Sequence, residues 1–238
     1  MTGPAEKVHL AEVHDGDTLR LTDGRKVRLI GVNTPELAIK QQPAEPLAAA
    51  ARDLAATFFT ASKILYLQLG VEKQDHYGRW LAYVYDEQGR SLEAELLAKG
   101  LALQVTLAPN VDRWQCLQSA EQIAQQQRLG VWGHPYFKVK QLAFLGERDS
   151  GFRRITGNVS RVVLGAKEWW IEFDKQFAVR IPEQGKTYFS PEKLLKLNGR
   201  AVEVRGWLAN RSNSKAVKTN GFSPWLMTIS HPNALKEL

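Results

Sequence analysis

Five short runs, at residues 8–14, 18–21, 26–32, 63–71 and 80–85, alternate or run apolar and are cut by Asp-Gly, Asn-Thr-Pro and Tyr-Gly turns. Segments this short, punctuated this strongly, are strands rather than helices. Asp23-Gly24 joins the second and third as a hairpin. Between the third and fourth lie a polar, Pro-bearing loop at 40–46 and an Ala-rich helix over 47–61, whose Leu47, Leu54 and Phe58 recur at helical spacing and predict one buried stripe. A second helix covers 92–99 and stops at Gly100. A third runs from an Asp112 cap to Arg128 and is stopped by Gly130, with Trp114 as a core anchor and Leu117, Ala120 and Ala124 on the same side.

A charged, loosely patterned connector follows at 137–150. Beyond it the spacing predicts strands at 155–164, 168–173, 177–181, 201–208 and 225–230, with a short helix near 191–196. Five strands with one helix between the third and fourth is the element order of an OB-type barrel. The first block shows the same early order with extra helices. The chain has 238 residues and 44% hydrophobic content, enough for two modest cores. The division expected is 1–136, a connector at 137–150, and 151–238.

Charge is split between these blocks. Residues 151–238 hold 15 Lys+Arg against 7 Asp+Glu, and residues 1–150 hold 17 against 18, so the whole positive excess of +7 belongs to the last third. A basic region of this kind attracts polyanions; solvated surface lysines are the competing reading. No apolar run reaches membrane-spanning length, and the N-terminus as given carries no signal peptide. The single Cys116 forbids an internal disulfide and is expected as a packed thiol on the third helix.

Three strings sit where apolar strands meet polar turns: Asp15-Gly16-Asp17-Thr18, Val27-Arg28-Leu29-Ile30-Gly31-Val32-Asn33-Thr34-Pro35-Glu36 and Asp75-His76-Tyr77-Gly78-Arg79. Asp17, the Asn33 amide oxygen and the Thr34 carbonyl make an all-oxygen set suited to calcium, with Pro35 biasing Thr34 towards an extended conformation that aims its carbonyl at an ion. No Cys/His spacing suggests zinc. Phosphodiester hydrolysis needs charge neutralisation and an aligned water. Arg28 and Arg79 supply two guanidinium forks for a phosphate, and Glu36 a base for the water. Taken singly, each string has a structural reading: a turn, an exposed strand arginine, Asp75 as a turn cap, Tyr77 packed on the barrel edge. Their conjunction in this order carries the functional one.

That conjunction resembles the staphylococcal nuclease (thermonuclease) family over roughly residues 8–133, with Leu81-Ala82-Tyr83-Val84-Tyr85, Gly100-Leu101-Ala102 and Leu129-Gly130-Val131-Trp132 adding to the likeness. The resemblance implies a mainly β fold with helices: a five-stranded OB barrel of the nuclease type, here followed by a second OB-like barrel. It also implies a calcium ion and endonucleolytic hydrolysis of DNA and RNA that leaves 3′-phosphate ends. It matches Asp17 to a metal ligand, Thr34 to the backbone ligand, Glu36 to the general base, and Arg28 and Arg79 to the phosphate-binding arginines. Tyr77 is assigned to the substrate, with His76 where a lysine assists. Two departures stand out. Asn33 replaces an aspartate ligand, which removes a charge and lowers the expected calcium affinity. The segment Leu103-Gln104-Val105-Thr106-Leu107 holds no tyrosine to flank a base, and stacking is worth about 1–3 kcal/mol per base.

In the second block, Trp169, Trp170, Phe173, Phe177 and Trp207 interleave with Arg154, Arg161, Lys167, Arg180 and Arg205. Stacking aromatics beside cations is how OB domains hold single strands, so Trp169, Arg180 and Arg205 are the expected contacts to DNA or RNA. Arg211, Lys215 and Lys218 fall in a polar loop between the last two strands. The alternative function is a nucleic-acid-binding or scaffold protein on a nuclease-like fold, weakened by Asn33. Retention of Asp17, Arg28, Glu36 and Arg79 argues against it, since a pure binder needs no base. A third reading, a partner-docking protein, predicts no polynucleotide affinity. The resemblance and calcium dependence favour an exported protein if a leader precedes the chain, and a cytoplasmic one otherwise.

Overall fold

A computed structural model describes residues 3–38, 42–59, 62–146 and 149–238, with Ala216 and Asn220 described by backbone alone. Residues 40–41 of the expected loop, 60–61 of the first helix and 147–148 of the connector lie outside the described residues. The chain divides into two compact units, Met1–Val105 with Pro109–Tyr136, and Thr106–Ala108 with Phe137–Leu238. No described helix is long and apolar enough to cross a membrane.

The first unit contains β1 (Glu6–Val13), β2 (Thr18–Leu21), β3 (Lys26–Leu29), β4 (Val32–Asn33), α1 (Ala48–Phe58), β5 (Ile64–Gln74), β6 (Trp80–Tyr85), α2 (Leu92–Ala98), β7 (Leu103–Gln104) and α3 (Trp114–Gln127). Its strands close into a barrel in the order β1-β2-β3-β6-β5, with β3 parallel to β6. Period-two alternation sends Leu19, Leu21, Val27, Leu29, Leu65 and Leu67 into the core. The outward phase of β2 and β3 therefore carries Thr18, Arg20, Lys26 and Arg28, paired as Thr18 opposite Arg28 and Arg20 opposite Lys26.

Four local expectations are corrected. The run at 26–32 is two strands, because Gly31 takes φ 87° and redirects Val32-Asn33 to pair with β7. A Cβ at Gly31 would stand 2.3 Å from Leu117 Cδ1, so helix packing also demands the glycine. Second, α1 buries Ala48, Ala51, Ala55 and Phe58. Leu54 only edges that core, and Leu47 precedes the helix in a left-handed conformation; small side chains let α1 sit close to the barrel. Third, α3 starts after Arg113, and the Asp112 cap is not used. Fourth, Trp114 is only half-buried and Cys116 is exposed, because the buried face of α3 runs through Leu117, Glu121 and Ala124.

The second unit contains β8 (Lys140–Gln141), β9 (Gly151–Asn158), β10 (Arg161–Leu164), β11 (Trp169–Phe173), β12 (Phe177–Ile181), α4 (Glu183–Lys186), α5 (Pro191–Leu195), β13 (Ala201–Asn210), α6 (Lys215–Asn220), β14 (Trp225–Thr228) and β15 (Leu235–Glu237). The sheet order is β10-β11-β12-β14-β13-β9-β8, with β15 beside β13. The strand expected at 155–164 bends at Val159-Ser160, whose amides donate to Arg200 O and Glu172 O at 2.9 and 2.8 Å. One half pairs with β13 and the other with β11, so one bent strand links β10 at one edge of the sheet to β9 beside β13. With β12 parallel to β14, as β3 is to β6, the circuit is OB-like. Part of the connector is a strand, β8, parallel to β9, and the loop between β13 and β14 carries α6. Ile155, Ile171, Phe173, Phe177, Val179, Ile181 and Met227 fill the core. The fold is thus β-rich with helices, a five-stranded OB barrel plus an OB-like sheet domain.

Candidate active site

The Asp15–Thr18 turn is packed where no side chain fits. A Cβ on Gly16 would meet Thr34 Cγ2 at 2.7 Å and Ala51 Cβ at 2.8 Å, which brings the turn against both the β4 exit and α1. Asp15 Oδ1 accepts the Asp17 N–H at 3.0 Å and shapes the turn. Asp17, almost fully buried, accepts the Thr34 N–H at 2.8 Å and its hydroxyl at 3.0 Å through Oδ2. The first two strings are thereby tied by direct bonds.

Arg28 completes that knot. Its Nη1 donates to the Leu29 and Val32 carbonyls, each at 2.9 Å, spanning the Gly31 turn. Its Nη2 lies 3.1 Å from Asp17 Oδ2 and 3.3 Å from Asn33 Oδ1. Asn33 Nδ2 in turn donates to the Thr34 carbonyl at 3.3 Å. The expected ligands Asp17, Asn33 and Thr34 therefore converge on one buried polar cluster, with Arg28 holding them together instead of lining the open cleft.

The cleft itself, about 390 Å³, is lined by Asp15, Thr18, Glu36 and Arg79, together with Arg20 and Lys26. Arg79 reaches it from the β5–β6 turn. Asp75 Oδ1 accepts the N–H groups of Tyr77 and Arg79 at 3.0 and 2.9 Å, and Asp75 Oδ2 accepts Arg79 Nε at 2.7 Å. Burial alone would raise the Asp75 carboxyl, but the bonds from Arg79 hold it below the usual range. Asp75 is a turn cap that also aims the arginine. Tyr77, 74% exposed, contacts His76 at a tilted angle with ring centroids 3.7 Å apart and lies 5.4 Å from the Arg79 guanidinium, so it does not pack on the barrel edge.

Glu36 keeps an exposed surface yet stands in the cleft wall. Partial burial raises its pKa first, then the Asp17 and Asp15 charges, with Arg28 opposing them. Asp15 is raised by burial and then by Asp17. Sequence reasoning missed the residues that hold Glu36. Glu45 Oε2 accepts the Glu36 N–H at 3.1 Å, the Glu45 N–H returns to Glu36 O at 2.8 Å, and Tyr136 donates to Glu45 Oε1 at 2.9 Å. No sequence signal marks Glu45 or Tyr136. Lys26 did carry one, being two residues from Arg28 on the same strand.

Among the described residues no three of His, Cys, Asp and Glu cluster as a metal site. The set here relies on an amide and a backbone carbonyl, and its donors are all hard oxygens beside carboxylates that repel each other. That chemistry fits a calcium-type cation. Leu103, Gln104 and Val105 are buried, so this stretch offers no stacking surface.

In the second unit Trp169 shares the core-facing phase with Ile171 and Phe173 and carries Lys186 Nζ 5.6 Å from its ring. Trp170, not Trp169, stands opposite Arg180, because adjacent strand residues face opposite ways. Arg180 donates to Thr228 Oγ1 at 3.2 Å and pairs with Glu168 at 3.3 Å. Arg205 faces out opposite Arg154, which is bidentate with Glu203. Phe173 and Phe177 are core residues and Trp169 and Trp170 are half-buried, leaving Trp207, in edge contact with Phe152, as the exposed one of the five expected aromatics.

A closed OB barrel with acidic residues and an aimed arginine in a rim cleft defines the nuclease type of OB protein. The family model described as "Staphylococcal nuclease homologue" matches residues 26–134. The chain is 34% identical over 126 residues to the thermonuclease of Staphylococcus hyicus, covering 51% of this chain and 73% of that protein. It is 35% identical over 133 residues to the thermonuclease of Staphylococcus intermedius, covering 53% and 76%. It is also 33% identical over 132 residues to the endonuclease YncB of Bacillus subtilis (strain 168), covering 52% and 61%. The chain belongs to the staphylococcal nuclease family.

Proposed function

We propose that this protein is a calcium-dependent endonuclease that hydrolyses DNA and/or RNA phosphodiesters to 3′-phosphate products. The observation that carries the reading is the rim cleft that unites Glu36 and Arg79 beside the Asp17–Asn33–Thr34 cluster. Asp17, Asn33 and Thr34 O would hold the calcium ion, which when bound supplies charge stabilisation at the reacting phosphate. Glu36 orders a water and removes its proton as the water oxygen attacks phosphorus; its raised pKa makes it a better base than an ordinary glutamate. Arg79 donates to the non-bridging oxygens as their charge grows, with Asp75 fixing its direction. The P–O5′ bond breaks, and the 5′-oxygen takes a proton from solvent. Arg28 keeps Asp17 and Asn33 in register.

A site short of one carboxylate suits the weaker, 10⁻⁴–10⁻³ M range of calcium affinity typical of extracellular modules, which supports an exported enzyme. In the second unit, Arg180 with Trp170, and Arg205 with Trp207, are proposed to help hold the strand. Hydrolysis of DNA and RNA should require calcium, stop with chelator, and fall at least about 10²-fold in Glu36→Gln. Activity indifferent to both chelator and Glu36→Gln would sink the reading; tight binding without hydrolysis would establish the weakened scaffold instead.

A further inference from the structure

The cleft holds more cationic side chains than the one aimed at the cleaved phosphate, set among the carboxylates of Glu12, Asp15 and Glu36. Besides Arg79 it is lined by Arg20 and Lys26, which face each other across β2 and β3. They occupy the outward phase, one rung beyond Thr18 opposite Arg28. Two residues along a strand advance about 6.7 Å, comparable to the step between neighbouring phosphates of an extended polynucleotide. Arg20 is ion-paired with Glu12, its neighbour on β1, which also lines the cleft. Lys26 is exposed and has no ion-pair partner among the described residues. The rung therefore keeps a net charge of +1, and His14 flanks it.

We infer that the Arg20–Lys26 rung is a second phosphate subsite in the same cleft as the phosphate cleaved at Glu36 and Arg79, and that it takes a flanking phosphodiester of the substrate strand. This rests on the nuclease reading above. It makes productive binding depend on substrate length, because a single-phosphate substrate cannot reach both positions.

Two substrates separate the positions: a dinucleoside monophosphate, with one phosphate, and a 12-nucleotide DNA strand. Lys26→Gln should raise KM for the 12-mer about 5–10-fold, leave kcat unchanged, and lower the slope of log KM against log salt by about 0.7, one phosphate contact on a single strand. The dinucleoside KM should not move. Glu12→Gln, which releases Arg20, should shift the 12-mer KM the opposite way. Fluorescence anisotropy of the labelled 12-mer on Glu36→Gln protein with calcium reads the same contact without turnover. Equal effects on both substrates, or unchanged 12-mer binding in Lys26→Gln, would overturn the subsite. If wild type cleaves neither substrate while Lys26→Gln still weakens 12-mer binding, the subsite stands and the nuclease reading falls.

Discussion

Glu36 and Glu45 exchange two hydrogen bonds across the neck of the loop between them. The Glu36 N–H donates to Glu45 Oε2 at 3.1 Å, and the Glu45 N–H to Glu36 O at 2.8 Å. Tyr136 anchors the Glu45 carboxylate from the far end of the first unit. The backbone beneath the proposed base is thus held by a side chain nine positions away. Glu45→Ala should lower kcat about tenfold, a loss of roughly 1.4 kcal/mol of transition-state stabilisation, with KM little changed. Glu45→Gln keeps an acceptor for the Glu36 amide and should recover most of it. Steady-state kinetics on one DNA substrate checks both; an equal loss in the two variants would assign the effect to charge.

Asn33 sets the charge of the proposed calcium site. Asn33→Asp adds a carboxylate within reach of Arg28 and beside Asp17, and should tighten calcium about tenfold, some 1.4 kcal/mol. Isothermal titration with calcium measures this directly. Unchanged or weaker affinity would show that the amide bond from Asn33 to the Thr34 carbonyl matters more than charge.

Gly16 sets the position of Asp15 and Asp17. Gly16→Ala places a methyl within 2.7–2.8 Å of Thr34 and Ala51, overpacking that costs about 1–3 kcal/mol. A lower Tm together with weaker calcium binding is the expected pair of outcomes.

Glu93 gives the first unit a pH-dependent stability. It is fully buried on α2, accepts the Val84 N–H at 2.8 Å and the Ser91 hydroxyl at 2.6 Å, and burial pushes its pKa from 4.5 up to about 7. A carboxyl raised on folding binds more protons in the folded state, so its contribution is fully present below about pH 4.5. It is lost as pH rises from there to about 7, by on the order of 3 kcal/mol. Glu93→Gln should flatten that part of the stability curve, as read by urea unfolding across pH 4–8. An unchanged slope would place the titration elsewhere.

Much of the barrel was legible because its strands alternate and its turns carry Asp-Gly and Tyr-Gly pairs. The limits of 18–21 and 80–85 coincide with β2 and β6. The run at 26–32 misled because its apolar pattern continues through Gly31, where only packing against Leu117 reveals the turn. Likewise 155–164 reads as one strand, and its bend appears only when its halves find partners on opposite sides of the sheet. In the site, Asp17, Asn33, Thr34, Glu36 and Arg79 were legible as motif residues. The inward role of Arg28 was not, since a strand pattern does not say which acceptors a long side chain finds.

Residue order alone determined the family, the strand-rich first block and the chemical kinds of group at the rim, because these depend on local pattern and on motifs contiguous in the chain. Tertiary structure alone decided that Arg28 ties Asp17 and Asn33 into one polar cluster, that Glu45 and Tyr136 brace Glu36, and that Lys26 and Arg20 share the cleft. Those relations join residues that only barrel closure brings together, and side-chain hydrogen bonds leave no periodic trace in the sequence.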